Sequence, residues 1–179
     1  KSSMEIVQKN LKIRLSADAV KKINLSRKLV EKWINENVPV YGITTGFGEF
    51  KDVMISKEDT EQLQKNLILS HSAGVGAYIP DIIVRLMLLF RINSLAKGYS
   101  GVRLELLEFM IDFFNSGIVP LVPSQGSVGC SGDLAPLSHL ALVMIGEGMC
   151  KYDGEVMSGA EGLELAGLKP ISLKAKEGL

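Results

Sequence analysis

The sequence predicts a mainly α-helical chain with a small mixed region and glycine-rich loops. Apolar residues recur at helical spacing along most of the 179 residues. Residues that favour helix starts stand directly before several of these segments. Strand-like alternation is rare and short. No repeat, low-complexity tract or linker interrupts the pattern, so we expect residues 1–179 to form a single unit.

The first two predicted helices have recognisable starts. Ser16 is placed to cap a helix whose apolar face includes Ile23 and Val30, and this pattern ends before Pro39. Ser56, with Asp59 three residues later, forms a capping box for the second helix. Both starts therefore rest on side chains that satisfy the free N–H groups of a first turn.

The next two helices are apolar on nearly every side. They cover about residues 80–97 and 102–116, with Gly98 and Gly117 at their ends. This composition indicates burial on several faces, which favours oligomerisation or further chain as cover. We expect Arg85 and Arg91 to form ion pairs around the first of them. A fifth helix, residues 134–146, follows Asp133 as its expected cap, and residues 152–179 are weakly patterned.

Composition argues against several functions. Lys+Arg and Asp+Glu are equal at 20 each, and aromatic residues make up 6%, so neither a nucleic acid nor an anionic membrane is indicated as a partner. The longest apolar run, residues 82–90, is too short to span a bilayer. Cys130 and Cys150 suggest neither a disulfide framework nor a metal site. Residues 1–10 resemble no export signal, so we expect a cytoplasmic location.

The most informative segment is GSVGCSGDLAPLSH, residues 126–139. Its three glycines permit backbone conformations closed to other residues. Ser131 and Gly132 precede a predicted helix start, where exposed N–H groups stabilise negative charge. On residue types alone, a glycine-rich turn capped by Asp133 is the favoured interpretation.

This segment resembles the signature of the histidine and phenylalanine ammonia-lyase family, with one departure in fourteen residues. In that family a small residue, a serine and a glycine cyclise to 4-methylidene-imidazol-5-one (MIO). The resemblance implies that the Gly132 nitrogen attacks the Cys130 carbonyl and that Ser131 loses its hydroxyl to become the methylidene. Asp133 would support the compressed loop. Cys130 is the departure, since the family most often has Ala there, but its side chain stays outside the ring.

Three further segments match in the same order. The run YGITTGFG, residues 41–48, resembles the family's tyrosine loop, which makes Tyr41 the expected base. A phenol with a pKa of about 10 needs nearby positive charge or donors for that task. Residues 69–76 resemble the loop whose Ser70–His71 pair meets the substrate side chain. Residues 91–103 match a largely structural stretch in which Arg103 could help the active loop. His139, in the predicted helix after the Gly-rich segment, is expected to pack or to support a site residue without contacting the substrate.

The resemblance implies non-oxidative deamination of L-histidine to urocanate and ammonia, with no metal or dissociable cofactor, in a homotetramer. Tyrosine ammonia-lyase or aminomutase activity remains an alternative, as does a catalytically inactive homologue or assembly fragment. The match corresponds to the first third of a typical family member. We therefore expect the central helical bundle and C-terminal part to lie outside this chain, which alone should be inactive and uncyclised.

Overall fold

The computed structural model describes residues 2–46, 49, 53–129 and 131–178, and confirms the mainly α prediction. Two small antiparallel sheets accompany the helices, one pairing β1 with β3 and the other ordered β2-β4-β5. The helices are α1 (Ser3–Gln8), α2 (Ala17–Asn35), α3 (Lys57–His71), α4 (Asp81–Leu95), α5 (Leu104–Ser116), α6 (Leu134–Met144) and α7 (Gly159–Leu165). The strands are β1 (Val75–Tyr78), β2 (Val119–Pro120), β3 (Pro123–Gln125), β4 (Met149–Tyr152) and β5 (Glu155–Ser158).

The two predicted serine caps are confirmed. Ser16 Oγ accepts a hydrogen bond from the N–H of Ala19 at 3.2 Å, at the start of α2. Ser56 Oγ accepts from the N–H of Asp59 at 3.0 Å and donates to Asp59 Oδ2 at 2.7 Å. The Asp59 carboxylate thus binds the capping hydroxyl itself, which orients the hydroxyl oxygen toward the free N–H groups of α3.

The predicted cap at Asp133 is wrong. Asp133 stands at the N-cap position of α6, but its side chain makes no capping hydrogen bond. Its backbone has φ −105° and ψ −9°, whereas a capping side chain needs an extended backbone to fold back over the first turn. The carboxylate is therefore available for another role.

The core is built around α4 and α5. Leu107 and Phe113 on α5 and Leu88 on α4 have at most 1% of their surface exposed. The apolar faces of both helices consequently find most of their cover within this chain. Ile83 and Phe90, seven residues apart on α4, remain 42% and 53% exposed. No described helix is long and apolar enough to cross a membrane.

The expected ion pair of Arg85 is also wrong. Among the described residues, no hydrogen bond or ion pair reaches its guanidinium, although the side chain is buried. The guanidinium instead lies over the ring of Phe114, with the central carbon 4.6 Å from the ring centroid. A cation–π contact therefore stands where a carboxylate was expected.

Candidate active site

A long-range strand pair brings two of the predicted loops together. β1 follows the Ser70–His71 pair, and β3 directly precedes the Gly126–Asp133 loop. The two strands run antiparallel, with Val75 opposite Gln125 and Tyr78 opposite Pro123. The loop expected to meet the substrate side chain and the loop expected to form the electrophile are thus neighbours.

Two glycines allow these loops to touch. A Cβ on Gly126 would lie 3.0 Å from the Cα of Gly74 and 3.1 Å from the Cβ of Ala135. Gly126 does not have a positive φ, whereas Gly129 and Gly132 both have φ +73° and would have open space around a Cβ. The expectation that all three glycines adopt backbone conformations closed to other residues is therefore wrong for Gly126. Glycine is required there because a side chain would not fit.

His139 fastens α6 to the same contact. Its Nε2 accepts a hydrogen bond from the N–H of Gly74 at 2.9 Å, so that nitrogen carries no proton. A Cβ on Gly74 would lie 2.9 Å from Nε2, leaving no room for a side chain. Burial lowers the pKa of His139 below its usual value, which favours the neutral ring that this bond requires.

A cavity of about 380 Å³ joins three of the predicted site residues, Tyr41, His71 and Asp133. They come from separate parts of the chain: the turn after α2, the end of α3 and the start of α6. Arg91 also lines the cavity, and aliphatic side chains form most of the remaining wall. Those side chains are Leu67, Ile68, Leu95, Val102, Leu106, Met110, Leu134, Leu137, Leu140, Ala141, Met144 and Leu173.

The ring of His71 is oriented by its own helix. Its Nδ1 lies 2.8 Å from the carbonyl oxygen of Leu67 and 3.1 Å from Ser70 Oγ. A carbonyl can only accept, so Nδ1 carries the proton and donates it to Leu67. In the neutral ring, Nε2 is then a hydrogen-bond acceptor for a ligand. Ser70 contacts Leu67 and His71 and is not among the residues lining the cavity.

Tyr41 lies in a turn stabilised by Thr44. The Thr44 hydroxyl accepts from the N–H of Val40 at 2.8 Å and donates to the carbonyl of Val38 at 2.5 Å. Tyr41 itself is 60% exposed on the open side of the cavity wall. The rest of the matched motif, Phe47 and Gly48, lies outside the described residues.

The described part of the Gly-rich loop suits the cyclised group that the family motif implies. Cys130 lies outside the described residues. Ser131 is exposed, and glycines with positive φ stand on both sides, at 129 and 132. The Ser127 hydroxyl donates to the carbonyl of Gly132 and closes the loop on itself. In the described part of the chain, no group of three or more His, Cys, Asp or Glu could hold a metal ion.

The family model of aromatic amino acid lyases matches residues 1–179. The chain belongs to the aromatic amino acid lyase family. The histidine ammonia-lyase of Shouchella clausii (strain KSM-K16) is 54% identical over 174 residues, which are 97% of this chain and 35% of that protein.

Solved structures of the lyase family share this fold. Histidine ammonia-lyase from Trypanosoma cruzi matches with a TM-score of 0.90 and 40% identity over 99% of this chain and 34% of that one. Phenylalanine aminomutase from Pantoea agglomerans matches with a TM-score of 0.91 and 35% identity over 99% and 34%. The chain therefore spans about a third of the length of these relatives.

In this chain, Arg103 binds the tail segment, residues 172–178, rather than the described part of the Gly-rich loop. Its Nε and Nη2 donate to the two carboxylate oxygens of Glu177 at 2.9 and 2.7 Å, and Nη2 also donates to the carbonyl of Ser172 at 2.7 Å. The Glu177 side chain has no exposed surface. This ion pair raises the pKa of Arg103 further.

The tail closes one side of the cavity. Leu173, Glu177 and Gly178 line it, and the N–H of Gly178 donates to Oε1 of the buried Gln64 at 2.7 Å. These tail residues were not predictable from the sequence, because their partners lie 74 and 114 positions away in the chain. Their only local signal was the glycine at 178, where a Cβ would lie 2.8 Å from the backbone oxygen of Gln64.

Proposed function

We propose that the full-length protein is a histidine ammonia-lyase that converts L-histidine to urocanate and ammonia. The observation that supports this most is the cavity lined jointly by Tyr41, His71 and Asp133, three residues that the family motifs single out independently. The high identity to proteins named histidine ammonia-lyase supports the choice of substrate.

His71 is the residue that would recognise the substrate side chain. With Nδ1 committed to the Leu67 carbonyl, Nε2 can accept a hydrogen bond from the N–H of an imidazole. The aliphatic wall would pack against the ring and exclude water, which strengthens that bond. Phenylalanine offers no donor and would leave Nε2 unsatisfied, so histidine is favoured.

Tyr41 would remove the β-proton of the substrate. It lines the cavity wall on a turn held by Thr44, whose hydrogen bonds fix the backbone from which the Tyr41 side chain extends. Proton transfer by a positioned side chain is worth about 10²–10⁴-fold in rate.

Ser131 and Gly132, with Cys130, would hold the MIO group. When formed, that group would supply an electrophile for the substrate amine or ring, which would make ammonia a better leaving group. The Ser127 hydroxyl and the positive-φ glycines on either side keep the loop turned on itself. The Asp133 side chain makes no capping hydrogen bond to α6, so it can support the loop from the cavity wall.

The remaining parts of the proposal concern the whole protein. Residues 1–179 would be its N-terminal portion, and a central helical bundle and C-terminal part would complete it. Groups for the substrate carboxylate and amine would come from those parts and from neighbouring subunits of a homotetramer. We propose a cytoplasmic enzyme whose substrate is an amino acid.

Replacing Ser131 with alanine tests the proposal. In the full-length protein, Ser131→Ala should lose nearly all urocanate formation and keep its thermal unfolding temperature, because the hydroxyl carbon of Ser131 is the one that becomes the electrophile. The control is Ser124→Ala, an exposed residue on β3, which should keep its turnover. Turnover of Ser131→Ala equal to the wild type would exclude the proposed mechanism.

A second activity within the family is favoured by one observation, the close match to a phenylalanine aminomutase. Product analysis separates the possibilities, since urocanate, coumarate or a β-amino acid identifies histidine lyase, tyrosine lyase or aminomutase activity. An inactive homologue with only a binding role would give none of these products from histidine, tyrosine or phenylalanine.

A further inference from the structure

A second cavity lies away from the proposed active site. It has a volume of about 480 Å³ and shares no lining residue with the first. Its walls are the start of α4, the end of α5, the segment Asn10–Lys12 and the turn between β4 and β5. Nothing in the proposed lyase reaction uses this part of the molecule.

Arg85 is the residue that makes this cavity unusual. It lines the cavity with only 9% of its surface exposed, and its Nε is buried without a hydrogen-bond partner. Its one described contact of an electrostatic kind is with the ring of Phe114. Burying a charge without an opposite charge or hydrogen bonds is costly, so such groups normally have an anion as partner.

The other charges of the cavity leave room for that anion. Lys12 also lines it, and Lys12 Nζ donates to the backbone carbonyl of Asn115 and has no carboxylate partner among the described residues. Asp81, four residues before Arg85, is occupied by Lys151, whose Nζ lies 2.9 and 2.7 Å from its two oxygens. Asp153 is exposed in the β4–β5 turn.

We propose that this cavity binds a small oxyanion, a carboxylate or a phosphate, between Arg85 and Lys12. The planar guanidinium offers parallel N–H groups that match two oxygens of such an ion, and Phe114 holds its plane from one side. Lys12, with donors left after its bond to Asn115, provides the second charge. Lys151 already neutralises Asp81, the acidic residue of α4 that also lines the cavity.

Inorganic phosphate is the probe for the test, with the full-length protein at constant ionic strength and chloride as the balancing salt. Thermal unfolding and titration calorimetry should show saturable binding of phosphate. Arg85→Met keeps the side-chain volume and the contact with Phe114 but removes the charge and donors. We expect it to bind phosphate about tenfold more weakly or worse.

Two variants make the result specific. Lys12→Met, at an exposed position, should fold normally and also weaken phosphate binding. Lys28→Met removes the same charge from the exposed face of α2 and should bind as the wild type does. The proposal is overturned if phosphate binding is not saturable, or if the Arg85 and Lys28 variants bind it equally well. Ser131→Ala, which should abolish lyase activity, should bind phosphate as the wild type does. Failure of one proposal can therefore be told from failure of the other.

Discussion

At the scale of single residues, the two histidines show how hydrogen-bond direction assigns a role. His71 donates through Nδ1 to the carbonyl of Leu67, which leaves Nε2 as an acceptor for a ligand. His139 accepts through Nε2 from the N–H of Gly74, so its acceptor is already used within the protein. His71 thus keeps an acceptor for the proposed substrate, whereas His139 fixes the loop that follows His71.

The first prediction concerns substrate choice. His71→Leu in the full-length protein should shift the ratio of kcat/KM for histidine over phenylalanine toward phenylalanine by about tenfold or more, because a hydrogen bond is lost for one substrate only. Steady-state kinetics with both substrates measures this. The same ratio in variant and wild type would show that His71 does not contact the side chain.

The second prediction concerns His139. Gln can place an oxygen near the position of Nε2, whereas Met of similar length cannot accept the Gly74 N–H. His139→Gln should therefore stay close to the wild type in KM and stability, and His139→Met should raise KM and lower the free energy of unfolding by about 1–2 kcal/mol. Equal behaviour of the two variants would mean that the bond to Gly74 has no positioning role.

The pH dependence of His139 has a definite sign. Its folded pKa is depressed, so the stabilisation from the neutral ring is present above the unfolded value of about 6.5 and is lost as the pH falls through the lower folded value. The difference in unfolding temperature between wild type and His139→Gln should change in that window. A constant difference between pH 7 and pH 5, about the range that brackets the usual value, would contradict it.

The residues that line the candidate site could be predicted from the sequence only where they belong to a family motif. Tyr41, His71 and Asp133 were expected at the site and do line one cavity. Glu177 was not expected, because it stands in no local pattern and its partner Arg103 lies 74 positions away. The Gln64–Gly178 contact was missed for the same reason.

At the scale of elements, the serine-capped helix starts and the glycine end of α5 were predictable, whereas the structure of residues 152–179 was not. The β4–β5 hairpin turns at Asp153 and Gly154, both with positive φ. An Asp-Gly pair favours such a turn, because both residues tolerate positive φ. Ser158 caps α7 by accepting from the N–H of Glu161. Strand pairing in the two sheets was hidden because each strand is at most four residues long.

The third prediction concerns the tail that closes the cavity. Arg103→Met would leave the fully buried Glu177 carboxylate without its guanidinium partner, which should cost about 3 kcal/mol in the free energy of unfolding. Urea denaturation measures this. Lys32→Met, which removes the exposed pair with Glu36, is the control and should change stability little. Similar losses in both variants would mean that the tail is not held by Arg103.

At the scale of the whole molecule, the chain spans about a third of its relatives' length, yet its core helices are mostly covered from within. The apolar composition of α4 and α5 led us to expect cover from other subunits or from further chain. Most of that cover comes from within, because each of these helices packs against several elements of this chain. The exposed Ile83 and Phe90 are the part of α4 that this packing leaves uncovered. Their cover in the proposed tetramer remains a prediction.

The fourth prediction concerns a polypeptide of these 179 residues expressed alone. We expect no urocanate formation, because the groups proposed to bind the substrate carboxylate and amine lie elsewhere. We also expect the unmodified mass, since compressing the Cys130–Gly132 segment costs free energy that only a fully enclosed loop can offset. Intact-mass measurement checks this, and a mass lower by two water molecules would show that the ring forms without the rest of the protein.

The pairing of β1 with β3 also sets an order of events in time. Val75 and Gln125 are separated by about fifty residues, and α4 and α5 lie between them. Because closing a loop of this length costs entropy, we expect the contact between the two loops to form late, after the local helical contacts. If Ser131 is processed as proposed, the reaction would begin only after the native fold has formed. Newly made full-length protein should then show a lag before activity, and mutations that slow helix docking should lengthen that lag.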